Sequence, residues 1–269
     1  MTYESFSKLL SRAVQSSDER FKRRMFEMQL ILSQESKKYN LTAITEPESV
    51  VSKHIADSVF CADALRKLFA DEMKNKKDSE TEITNIPDSL QGNDFMHGKA
   101  PAATVIDIGS GAGFPSIPIS ARCENFSVTA LDSTQKKCDY IKKAAAALEL
   151  DNISVICSRA EETASEGDFR EKFDFAVARG VSRLNVLSEI CIPFVKIGGF
   201  FVAMKARAAD EENDEAQAGI EKLGAEFFKK IRYTLPFSED ERFLLIYRKV
   251  KSTPSAYPRK YSKITKNPL

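Results

Sequence analysis

The sequence predicts an α/β fold: a mostly parallel, seven-stranded Rossmann-like sheet with a helical extension at its N-terminal side. Three observations predict it. From residue 102 onward, short apolar runs alternate with helix-patterned stretches. The first of those runs passes directly into the glycine-rich loop Gly109-Ser110-Gly111-Ala112-Gly113. The last two runs are separated only by a short turn, so they pair antiparallel.

Residues 1–70 read as a helical extension. Apolar residues recur at helical spacing in Met25, Met28, Leu30, Ile31 and Leu32, and again in Val50, Val51, Ile55, Val59 and Leu65. Between the two groups, Pro47 and the neighbouring threonines mark a break and a new helix start. Residues 71–101 are polar, charged and poor in large apolar side chains, which predicts a linker or surface insertion. Residues 102–251 carry the sheet. Its parallel strands are expected in ATVIDIG, SVTALDS, ISVICSR, FDFAVARG and GFFVAMKA, with helices such as QKKCDYIKKAAAALEL between them. Residues 226–235 and 242–250 form the closing hairpin. Residues 252–269 are left as a basic tail: from Arg242 to Leu269 there is no acid, against Arg242, Arg248, Lys249, Lys251, Arg259, Lys260, Lys263 and Lys266. Such a tail is either a polyanion contact or a solvated, partly disordered terminus.

Composition narrows the setting. The net charge is +1, so the chain as a whole is no polycation. Five cysteines (Cys61, Cys123, Cys138, Cys157 and Cys191) form no CxxC pair, which argues against a disulfide framework and a zinc site. No metal is expected. The start MTYESFSKLL lacks the basic-then-apolar pattern of a signal peptide, and no apolar run reaches membrane-spanning length. A cytoplasmic protein without membrane contact is expected.

The loop carries the chemistry. Glycine tolerates positive φ and lets a ligand approach the backbone. At the carboxyl end of the first strand, such a loop lies where doubly wound sheets bind ligands. Nicotinamide-binding folds use a similar loop, but here the spacing is GxGxG, and Asp107 precedes the glycines inside the strand. A second acid, Asp132, ends the next strand, where its carboxylate can accept both hydroxyls of a ribose. Together these favour S-adenosyl-L-methionine as the cofactor. Ser158-Arg159-Ala160-Glu161-Glu162 follows the third strand, where the backbone of Ala160 and Glu161 could meet an adenine edge; it also reads as an ordinary acid-rich helix start.

The acceptor is read from missing motifs. The fourth strand ends in Ala178-Arg179-Gly180, not in the Asn/Asp-Pro-Pro-aromatic tetrad of enzymes that methylate exocyclic amines. Cys157 and Cys191 read as core residues rather than nucleophiles. What remains is an acceptor that needs neither nucleophile nor strong base, and guanine N7 is one. A different RNA base or a small molecule stays open. A nicotinamide-dependent dehydrogenase and a cofactor-free RNA-binding module are further alternatives.

The motifs together resemble one family. Asn40-Leu41-Thr42-Ala43-Ile44, His54-Ile55-Ala56-Asp57-Ser58, Asp107 through Pro118, Leu131-Asp132-Ser133, Arg159-Ala160-Glu161-Glu162, Ala178-Arg179-Gly180-Val181 and the ending Tyr257-Pro258-Arg259-Lys260 to Leu269 resemble, in order, the RsmG (GidB) family of bacterial 16S ribosomal RNA guanine-N7 methyltransferases. The resemblance implies a class I methyltransferase, with 16S rRNA, the small ribosomal subunit or its precursor as partner, and a monomer. It places cofactor contacts at Gly109, Gly111, Phe114, Asp132, Ala160, Glu161 and Arg179. The catalytic residue is left open between Arg179, His54 and Asp57; the last two could equally cap or pack a helix. Arg259, Lys260, Lys263 and Lys266, with Tyr257 and Tyr261 interleaved, look like an RNA-contacting arm. Two segments depart from the family: residues 71–101 are longer, and an insertion near Glu166 to Lys172 is expected to extend a surface loop. A Gly109→Asp change is expected to abolish cofactor binding by blocking backbone approach.

Overall fold

The computed structural model describes residues 1–81, 102–206 and 208–269. Seven strands form one sheet: β1 (Ala103–Ile108), β2 (Phe126–Asp132), β3 (Ile153–Cys157), β4 (Phe173–Arg179), β5 (Val195–Lys205), β6 (Ala225–Thr234) and β7 (Glu241–Lys249). Their order is β3-β2-β1-β4-β5-β7-β6. The first five run parallel, and β7 lies antiparallel between β5 and β6. The expected seven-stranded α/β sheet is therefore the observed one. The central strands are covered on both faces, which is why they read as near-continuous apolar runs. Val105, Phe175, Val177 and Val202 face one side, where they meet Cys61, Leu65 and Ile119. Ile106, Ala176, Ala178 and Ala203 face the other and pack under Leu184, Leu187, Ala216 and Ile220.

The chain builds β1, β2 and β3 in one direction, then returns to place β4 on the other side of β1. The carboxyl ends of β1 and β4 thus flank the point where the winding reverses, which is where an open α/β sheet leaves a crevice.

The N-terminal extension consists of α1 (Tyr3–Ala13), α2 (Glu19–Tyr39), α3 (Pro47–Val50), a π-helical turn over Val51–Ala56 and α4 (Asp57–Thr81). Asp18 caps α2 by accepting from Phe21 N–H at 2.7 Å, and Asn40 ends it in the left-handed conformation. The extension shares a core with α6 (Gln135–Ala147): Phe6, Leu10, Met25, Met28 and Leu32 pack with Tyr140, Ile141 and Ala144. Helix α4 runs on to Thr81, across the boundary expected at residue 70. Lysine- and glutamate-rich sequence is compatible with an exposed helix, so its polarity does not mark a break. The rest of the 71–101 segment lies outside the described residues.

The C-terminal tail also differs from its disordered reading. Its short helix α10 (Tyr261–Lys266) buries Ile264 completely in the core. Arg170 donates to the Tyr257 and Thr253 carbonyls, each at 2.8 Å, and Thr253 N–H donates to the Glu171 carboxylate at 2.7 Å. The insertion near residues 166–172 is thus the socket of the tail rather than a free surface loop. Cys191 is buried as expected, whereas Cys157 is exposed, because β3 is an edge strand.

Candidate cofactor and acceptor sites

The loop after β1 is closed by its own hydrogen bonds. Gly109 and Ser110 N–H groups donate to the Leu131 carbonyl at 2.8 and 3.1 Å, and Gly111 N–H donates to Asp132 Oδ2 at 3.0 Å. Gly109, Gly111 and Gly113 all lie at positive φ, which favours glycine. A Cβ on Gly109 would fall 2.6 Å from Val181 Cγ2, so a side chain there strains the protein's own packing as well as ligand approach. The expectation for Gly109→Asp is corrected in that respect: its first clash is with Val181.

Asp107, wholly buried, accepts from Ser116 N–H at 3.1 Å through Oδ2. Its Oδ1 has no partner among the described residues. Burial pushes the Asp107 carboxyl up to about 6, against the hydrogen bonds from Ser116. Asp132 accepts from Thr134 N–H at 2.8 Å through Oδ1 and from Gly111 through Oδ2, which leaves each oxygen a lone pair.

Gly109 and Asp132 open onto a cleft of about 290 Å³ lined also by Ala160, Glu161, Gly180 and Tyr261, among others. A second cavity, of about 500 Å³, is lined by His54, Asp57, Arg179, Gly180, Lys205 and Glu212, with others. Gly180 borders both; its φ is +65° and the space beside it is open. A carboxylate at the end of β2 and an open glycine at the end of β4 suit a nucleoside with a polar tail.

A polar hub joins the extension to the sheet at this place. Arg179 Nη1 donates to Asp57 Oδ2 and to the Lys53 carbonyl, both at 2.9 Å. Arg179 Nη2 lies 3.1 Å from His54 Nδ1. Arginine only donates, so Nδ1 is the acceptor and His54 Nε2–H donates to Thr42 Oγ1 at 3.1 Å. Tyr233 donates to Asp57 Oδ1 at 2.6 Å. The His54 ring stacks on Phe114 with centroids 4.5 Å apart. Burial, then the Arg179 charge, lowers the His54 pKa to about 3, so the ring is neutral at pH 7. His54, in the π-helical turn over Val51–Ala56, and Asp57, three residues on, share a helix face and both reach Arg179.

The family model for GidB, described as rRNA small subunit methyltransferase G, matches residues 72–234. The chain belongs to this family. A ribosomal RNA small subunit methyltransferase G of Lactobacillus johnsonii is 35% identical over 269 residues, covering all of both chains. One of Caldicellulosiruptor bescii is 38% identical over 242 residues, covering 90% of this chain and 89% of that one. A solved structure of M. jannaschii TYW2 in complex with AdoMet aligns with 55% of this chain and 69% of that chain, at 13% identity and a TM-score of 0.45. As a member of the GidB family, the protein is an S-adenosylmethionine-dependent rRNA methyltransferase.

The methyltransferase brings together most of the residues its sequence singled out. Gly109, Asp132, Ala160 and Glu161 line the cleft, while Gly111 acts through its bond to Asp132. Phe114 and Arg179 do not line it. Phe114 is buried against His54, and Arg179 faces the second cavity. The Arg259 guanidinium is paired within the protein: it binds Glu189, a fully buried carboxylate, with Nη2–Oε2 at 2.6 Å. A buried acid needs such a partner. Lys260, Lys263 and Lys266 are exposed and form no ion pair with a described residue. Tyr233, Glu189 and Glu212 went unnoticed in the sequence. No motif surrounds them, and only the fold brings them to their partners. Tyr261 was read as part of an RNA arm; it lines the cleft beside Gly109 and Asp132, with Arg159 over its ring.

Proposed function

We propose that this methyltransferase modifies N7 of a guanine in 16S ribosomal RNA, within the small ribosomal subunit or its precursor, and acts as a monomer. The observation that carries the reading is the pair of cavities meeting at Gly180, one suited to the cofactor and one large enough for a base. S-adenosylmethionine, when bound, supplies an electrophilic methyl group. Asp132 holds its ribose hydroxyls, and the backbone of Ala160 and Glu161 receives its adenine. Gly109 and Gly180 let the ligand lie against the main chain.

Guanine N7 carries a free lone pair and no proton, so the chain needs no general base. Its work is to place N7 in line with the methyl group and to exclude water. This agrees with the hub: His54 is neutral and already bonded on both nitrogens, and each Asp57 oxygen already accepts a hydrogen bond. We assign these residues, with Arg179, to positioning rather than to proton transfer. They clamp the extension onto the end of β4 and build one wall of the base cavity. N7 faces the deep major groove of A-form RNA, so the target guanine must be unpaired or turned out of its helix. Lys260, Lys263 and Lys266 supply exposed charge for the phosphate backbone.

The test replaces the acceptor atom. Small-subunit RNA is transcribed with 7-deazaguanosine, whose C–H at position 7 has no lone pair, and assembled with subunit proteins. The ordinary transcript accepts methyl groups and the 7-deaza transcript does not. Equal transfer to both would overturn the N7 assignment.

A further inference from the structure

Resting on the guanine reading above, we infer that the second cavity is a pocket for an unpaired guanine whose Watson–Crick edge is read by the Glu212 carboxylate. Glu212 lies in the first turn of α9 (Ala209–Lys222), immediately beyond β5. Its Oε2 accepts from Lys205 Nζ at 2.7 Å and from Leu184 N–H at 2.8 Å. Lys205 Nζ is itself fixed by the Ser182 carbonyl at 2.7 Å. The carboxylate is therefore held in place, and its side chain is only 14% exposed. Oε1 has no hydrogen-bond donor among the described residues, and Glu212 lines the cavity. A fixed acceptor that faces the cavity with both lone pairs available can take a donor from the ligand.

Guanine provides it. N1–H and N2–H lie side by side, so both can point at Oε1. Adenine N1 and cytosine N3 are bare acceptors and would face the carboxylate with like polarity. Glu212 thus selects as well as binds. The other carboxylate in the cavity, Asp57, is the poorer acceptor, because it is buried and each of its oxygens already accepts one hydrogen bond, from Tyr233 and from Arg179. Besides Arg179 and Lys205, which pair with Asp57 and Glu212, the cavity holds the cations Lys53 and Arg242; both approach Asp240, at 3.5 and 3.9 Å, and both stay partly exposed. They are placed for the phosphates flanking the base rather than for its edge.

The chemistry strengthens the contact as reaction proceeds. The N7 lone pair forms the new N–CH3 bond, the S–CH3 bond breaks, and its electron pair returns to sulfur. The positive charge passes from sulfonium to the purine, and N1–H becomes a stronger donor. Its bond to Glu212 is then tighter in the transition state than in the bound substrate. Glu212 acting on N1 leaves N7, on the opposite edge, free to face the opening at Gly180.

Glu212→Gln keeps an oxygen for Lys205 and Leu184 but sets an amide N–H against guanine N1–H. With unmodified small subunits it is expected to lower kcat/KM about 100-fold, with kcat falling more than KM rises. Affinity for S-adenosylmethionine, by calorimetry, should change less than about twofold. RNA carrying inosine at the methylated nucleotide lacks N2–H; it should cost the wild-type enzyme about 10-fold and cost Glu212→Gln almost nothing further. A merely structural Glu212 would not produce that loss of discrimination. Wild-type activity in Glu212→Gln, or an inosine substrate as good as guanosine for the wild-type enzyme, would overturn the inference. Absence of N7-methylguanosine from the wild-type reaction would instead overturn the guanine reading beneath it.

Discussion

Replacing Asp57 by Asn should unfasten the helical extension from the sheet. The Asp57 side chain is 5% exposed and that of Arg179 17%, and the pair stands at 2.9 Å. Asparagine keeps an oxygen for Tyr233 but presents an N–H to Arg179 Nη1. The guanidinium then keeps only the Lys53 carbonyl and His54 Nδ1. Breaking a buried ion pair from one side costs about 3–5 kcal/mol. The two surviving acceptors place this case near the lower end, about 3 kcal/mol. At about 2–4 °C per kcal/mol for a chain of this size, Tm should fall by about 6–12 °C. Thermal unfolding followed by circular dichroism measures it. Arg179→Met and the double variant complete a cycle in which the two changes should be strongly non-additive. A loss under about 1 kcal/mol for Asp57→Asn, or simple additivity, would refute the reasoning that this pair holds the extension in place.

Acid should destabilise the protein through His54. Its pKa is about 3 when folded, against about 6.5 when unfolded, so only the unfolded chain takes up the proton between those values. The stability present above pH 6.5 is therefore lost as pH falls toward 3, by up to about 1.4 kcal/mol per pH unit. Urea unfolding at pH 7 and pH 5 should show a smaller difference for His54→Gln than for wild type; identical differences would mean that His54 is not the group responsible. Asp132→Asn should weaken S-adenosylmethionine binding at least about tenfold by calorimetry, and unchanged affinity would remove Asp132 from the ribose site. Arg259→Met strands the buried Glu189 carboxylate and should cost about 3–5 kcal/mol. Alanine at Lys260, Lys263 and Lys266 together should leave stability within about 0.5 kcal/mol but flatten the salt dependence of RNA binding. If the triple variant proved the unstable one, the division of the tail into anchor and contact would be wrong.

The sheet was legible in the sequence because its central strands are buried on both faces and alternate with helices. The loop was legible because glycines, Asp107 and Asp132 lie close together in the chain. What escaped depends on distance along it. Asp57 meets Tyr233, and Glu189 meets Arg259, only after the sheet has formed. No local pattern encodes either contact. The tail misled for a related reason: its charge is visible in sequence, but the burial of Ile264 and the buried acid that claims Arg259 are not. Polarity also hid the continuation of α4, since charge reports exposure rather than loss of helix.

Unmodified small subunits incubated with S-adenosylmethionine carrying a tritiated methyl group, then digested to nucleosides and chromatographed, test the central claim most directly. The account expects the label in N7-methylguanosine, at one nucleotide of 16S rRNA. Label in any other nucleoside, or none in small subunits, free 16S rRNA or assembly intermediates, would contradict it.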